Sequence, residues 1–237
     1  MAFEKLDKNI ENTENLWTED LVLELDRQRP KGEDKESEQN IDWWHFTAYA
    51  EDLAVIDKQK LDSLISKSDI ESVVRDFNIL RKQDHEDVNW AAPVYAARLQ
   101  RLGWQEETFG DDEWGNFGAE LEDRRKKEEW WFFAFYIDHL LTLDHSKARS
   151  FITEDDMAQM RKAADQIRGK AELEDSPLLT LTLENNLQKI DPLQTQSPFI
   201  NQDILSAKER LRQLQNTGDW HRAAQYLSAI KMAQLKD

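Results

Sequence analysis

Residues 130–144 read Trp-Trp-Phe-Phe-Ala-Phe-Tyr-Ile-Asp-His-Leu-Leu-Thr-Leu-Asp, and residues 120–129 before them read Glu-Leu-Glu-Asp-Arg-Arg-Lys-Lys-Glu-Glu. The first half of this element, Ala119 to Asp144, alternates acidic and basic blocks. These suit i to i+4 ion pairs on a solvated helix. The second half is apolar on every side, as in a helix at the middle of a packed bundle. Its apolar run, Trp130 to Ile137, is eight residues and ends in Asp138-His139, far short of the roughly 20 residues a bilayer span needs. The stretch therefore predicts the central helix of an all-α protein.

On both sides the chain continues in helical periods. Ser68 and Glu71 make a capping-box signature for a helix over Asp69 to Lys82, with Ile70, Val73, Val74, Phe77 and Leu80 on one face. Further helices are predicted over Glu19–Arg29 with Thr18 as N-cap, Trp43–Ile56, and Val88–Leu102 with Gly103 to end it. Thr153 with Asp156 opens another, carrying Met157, Met160, Ala164 and Ile167. The single alternating stretch, Leu179 to Leu183, reads equally well as helix. The expected architecture is an irregular multi-helix bundle with a C-terminal helical hairpin. Residues 1–40 form an acidic, partly mobile leader, 41–170 the bundle, 171–202 a proline-containing connector and 203–237 the hairpin. In the hairpin, Gly218-Asp219-Trp220 with Ala223, Leu227 and Ile230 resembles the second half of a tetratricopeptide unit, over about the last 30 residues and without a second repeat.

Composition narrows the function classes. The 237 residues hold 48 Asp and Glu against 31 Lys and Arg, a net charge of -17. Six bases against four acids in residues 201–237 leave the hairpin at +2, so the rest of the chain carries -19. Such a field repels nucleic acid and anionic membranes and attracts basic proteins. With no cysteine there is no disulfide, thiolate metal site or cysteine nucleophile. The polar, acidic Met1 to Asn15 lacks the layout of a signal peptide, so a cytoplasmic location is expected.

Three constellations carry candidate chemistry. Phe109 to Gly118 holds Asp111, Asp112 and Glu113 beside Trp114 and Phe117. It reads as a docking loop for a basic partner, or as a turn whose aromatics tuck back. Calcium-loop spacing is not met. The doublets Trp43-Trp44 and Trp130-Trp131, with His45, could line a pocket for a planar ligand, although aromatic clusters at this spacing usually form core. Metal ligands, if there were any, would come from Asp42, His45, Asp138, His139, Asp144 and His145. Yet the two Glu-x-x-His pairs of a di-iron bundle are absent. No Gly-x-Ser-x-Gly elbow or phosphate loop is present. The reading that remains is a non-enzymatic protein without a cofactor. It would be a regulatory, adaptor or inhibitor (immunity-like) protein that docks on a basic surface or sits within a larger complex. A metal-dependent hydrolase using the Asp/His pairs and an acidic mimic of nucleic acid are the alternatives.

Overall fold

The computed structural model describes residues 18–30, 43–83, 88–168, 170, 175–191 and 200–234. Among them there are eleven α-helices and no strand: α1 (Glu19–Gln28), α2 (Trp44–Leu64), α3 (Lys67–Leu80), α4 (Val88–Leu102), α5 (Asp111–Lys126), α6 (Trp130–Leu143), α7 (His145–Ser150), α8 (Glu154–Arg168), α9 (Ser176–Ile190), α10 (Ile200–Thr217) and α11 (Trp220–Gln234). No helix among these residues is long and apolar enough to cross a membrane.

Local chemistry sets several helix ends. Thr18 accepts the Leu21 N–H, and Thr153 and Asp156 exchange side-chain and backbone bonds at the start of α8. The capping box of α3 lies two residues earlier than Ser68/Glu71. Ser66 and Asp69 form it, because Asp69 is the carboxylate placed to reach back to the N-cap N–H. Gly103 and Gly218 take positive φ (72° and 76°) where α4 and α10 stop. There the Trp104 N–H reaches Leu99 O and the Asp219 N–H reaches Leu214 O. Within α2, Asp57 leaves helical geometry (φ -160°, ψ 94°) and its carboxylate accepts the Lys60 N–H, so the helix kinks and restarts there. Pro93 lies inside α4, where it can give no N–H to the carbonyl four residues back. That carbonyl, Asn89 O, accepts the Tyr136 hydroxyl at 2.6 Å instead.

Two hydrophobic clusters form the interior. The first gathers α1, α2, α3, α10 and α11 around Phe46, Tyr49, Phe77 and Tyr226. The second gathers α5, α6, α7 and α8 around Phe117, Phe133, Tyr136 and Met160. Helices α4 and α9 contribute to both, α4 through Leu99 and Val94, α9 through Leu181 and Leu187.

Two expectations change. The stretch from Ala119 to Asp144 is not one helix: α5 starts at Asp111, and the chain turns at Lys127–Glu129 before α6. The described part of the connector is helix α9, whose Leu181, Leu183 and Leu187 are buried and whose neighbours are α6, α8, α10 and α11. Arg168 fastens it, bonding Glu184 of α9 at 3.0 Å and Asp203 of α10 at 2.9 Å. The hairpin is likewise part of the interior, with Ala223, Leu227 and Ile230 of α11 in the first cluster beside α2. Of the leader, α1 is described, and its Leu21 and Leu25 are fully buried.

The glycines inside α5 give a first prediction. A Cβ on Gly115 meets nothing within 4 Å, whereas one on Gly118 lies 2.8 Å from Cε1 of Phe151. In urea unfolding, Gly115→Ala should gain about 0.5–1 kcal/mol from helix propensity. Gly118→Ala should lose about 1 kcal/mol or more, because the Phe151 ring is stacked on Trp114 and must shift.

Candidate functional site

The acidic triplet opens a helix rather than a loop. Asp111, Asp112 and Glu113 occupy the first turn of α5, while Arg124, Arg125 and Lys126 occupy its last, the arrangement that complements the helix dipole. Glu113 turns back to accept the Gly110 N–H at 2.8 Å and binds Arg81, the C-cap of α3, at 2.9 Å. Arg81 also bonds Glu107 and lies 4.5 Å over the Phe109 ring. Asp111 pairs with Lys147 at 2.8 Å. Trp114 and Phe117 are buried edge to face against each other. The expected docking loop is thus corrected: its aromatics are core, and of the five residues Asp111 and Asp112 are exposed. Helical spacing explains this, since Trp114, Phe117 and Leu121 fall on one face.

The tryptophan doublets are engaged in ring contacts. Trp43 packs edge-on against Phe46, and Trp44 meets Trp90 and Tyr95. His45 is exposed. Trp130 leans on Phe133, and Trp131 stacks on Phe135. A row of rings runs from Trp44 through Trp90 and Phe132 to Phe135 and Trp131, with centroids 5.5 to 6.2 Å apart. These rings fill one another's space, as packed aromatics do.

The Asp/His set is not assembled either. Asp42 lies outside the described residues. His45 and His145 are exposed on α2 and α7, and Asp144 caps α7 by accepting the Lys147 N–H at 3.0 Å. Among the described residues no three His, Asp or Glu side chains are grouped to hold a metal ion. Asp138 and His139 do come together, but in an ionic cluster whose cations already take the carboxylate oxygens.

That cluster joins α2, α4, α6 and α9. Glu51 of α2 binds Arg101 at 2.6 Å and Arg98 at 3.3 Å. Asp138 of α6 binds Arg101 and Lys189, each at 2.8 Å. Thr142 accepts from Arg101 as well. Asp52 lies beside Glu51 and within the electrostatic reach of Arg98. The charged forms of Glu51, Asp138 and Arg101 are stabilised by these neighbours. Burial would raise Asp138, but Arg101, then Lys189 and His139, hold it down at about 2. Burial would raise Glu51 too, and Arg101, with His139 and Arg98, holds it well below the usual carboxylate range. Asp52 is pushed up to about 7 by burial and by Glu51, against a hydrogen bond from Ser228 of α11. Burial and the charge of Arg101 keep His139 below its usual value. Its Nδ1 contacts the Phe135 carbonyl at 2.8 Å, which can only accept, so Nδ1 carries the proton. Nε2 lies 3.9 Å from Glu51, toward which it would carry a proton whenever the ring is charged. The arrangement ties helices together. Its sequence signal was available: Arg98 and Arg101 are two charges inside Ala91 to Leu102, which is apolar apart from them, Tyr95 and Gln100.

No protein family, curated protein or solved structure matches the chain. Its class is set by architecture alone: an all-α, tryptophan-rich multi-helix bundle, stitched internally by arginine–carboxylate pairs.

Proposed function

We propose that this is a non-enzymatic, protein-binding protein that docks on a basic partner through its anionic surface. The observation that carries the reading is where the charges lie. Arginines 81, 98, 101, 124, 125 and 168 are largely covered and paired with carboxylates between or along helices, with side-chain exposures of 7% to 28%. Other carboxylates, though each meets a base, stand out into solvent: Asp111 is 94% exposed, and Glu71, Asp165 and Glu209 are each near two thirds. A partner approaching this surface meets the excess of acid, and such a field steers basic proteins into encounter.

The test is affinity capture on the immobilised full chain from its native host at low and high salt. Basic partners should be retained at about 50 mM salt and released at about 500 mM, where screening shortens the reach of surface charge to a few ångströms. Reversal of Asp111 and Asp112 to Lys should weaken their association. A partner indifferent to both salt and reversal would remove the charge-driven reading. One displaced by duplex DNA would turn it into mimicry of nucleic acid.

A further inference from the structure

The fold meets one recognition problem repeatedly. Arg124 lies 4.1 Å over the Phe132 ring and bonds Glu129 at 2.6 Å. Arg98 lies 4.2 Å over Trp44 and bonds Glu51. Arg81 over Phe109 and Arg125 over Phe133 follow the same plan, with Glu113 and Asp156 as the carboxylates. In each, the flat guanidinium rests on a ring while its edge donates to an acid, a geometry that suits arginine and not lysine.

In the Arg124 socket the carboxylate and the ring are three residues apart, Glu129 and Phe132. One residue earlier, Glu128 and Trp131 repeat that spacing and face outward. Trp131 is 37% exposed and stacks on Phe135 through one face, at 5.6 Å and 10° between planes. Glu128 is exposed and belongs to no ion pair among the described residues, while its basic neighbours are engaged: Lys127 holds Asp123 at 2.7 Å and Lys126 faces Glu122. The corner is preformed. Glu128 takes a left-handed φ of 56°, fixed by the bonds Glu128 N–H to Arg125 O and Glu129 N–H to Arg124 O. A non-glycine residue is strained there, a strain glycine would avoid.

We propose that Glu128 and Trp131 form an unfilled copy of this socket, which takes an arginine side chain of the basic partner. The proposal rests on the anionic-surface reading above. It is tested on the full chain by following the indole N–H resonance of Trp131, identified by its loss in Trp131→Phe, during titration with hexa-arginine amide and hexa-lysine amide. Hexa-arginine should shift that resonance saturably and bind more tightly than hexa-lysine. Trp131→Ala and Glu128→Gln should each weaken hexa-arginine binding about two- to fivefold, the range for a cation on an exposed ring, and weaken hexa-lysine less. Glu128→Gly should weaken it equally while the protein stays at least as stable, which separates lost binding from lost folding. Equal affinity for the two peptides, or a silent Trp131 resonance, overturns the docking point. If both peptides still bind in a salt-sensitive way, the anionic-surface reading stands without it. If neither binds at low salt, both fall.

Discussion

Asp156→Ala is expected to lower the unfolding free energy by about 4 kcal/mol, read from urea midpoints at constant m-value. The side chain is 1% exposed and holds the Nε–Nη2 edge of Arg125, at 2.7 and 2.9 Å. It also accepts the Thr153 N–H at 2.9 Å at the start of α8. Removing it leaves Arg125 facing Phe151 O and Glu122 without its inner partner. A broken buried pair costs about 3 kcal/mol or more, and a lost cap about 1. Thr153→Ala should therefore cost only the cap, about 1 kcal/mol. If the two variants lost equal stability, the Arg125 pair would have no energetic role in joining α5 to α8.

Asp138→Ala is the second large effect, about 3 kcal/mol near neutral pH. This is the lower end for a buried pair, since Arg101 and Lys189 keep some contact with water. Its pH dependence has a definite sign. The folded carboxyl titrates at about 2, below its ordinary 3.8. Its stabilisation is therefore complete above pH 3.8 and is lost as pH falls through 2. On the order of 2 kcal/mol is linked to that shift. The gap between wild type and variant should be full at pH 5–7 and narrow toward pH 2. A gap that stayed constant down to pH 2 would mean that Asp138 acts through packing rather than charge.

Sequence and structure part company at identifiable residues. The helix over Val88 to Leu102 and the caps at Thr18 and Thr153 were legible because their bonds close within four residues. The break between α5 and α6 was not. It occurs in a run of good helix formers with no Gly or Pro, and what ends α5 is the left-handed Glu128, seen only once Arg124 has been pulled to Glu129 and Phe132. The candidate sites fared differently for the same reason. The glycine content of Phe109 to Gly118 suggested a loop where Gly115 and Gly118 are helical. Gly118 lies inside the helix where Phe151 leaves no room for a side chain.

By itself the amino-acid sequence determined an all-helical, strongly acidic chain, most of its helix starts and stops, and which faces turn inward. Periodicity, capping and charge composition act over a few residues and need no partner. Only the tertiary structure decided that Glu51 meets Arg98 and Arg101, 47 and 50 residues away, that the 176–190 stretch is an interior helix, and that Trp131 faces outward while Trp114 is core. Those outcomes depend on how helices approach one another. A guanidinium finds its carboxylate and its ring only where packing brings the two together.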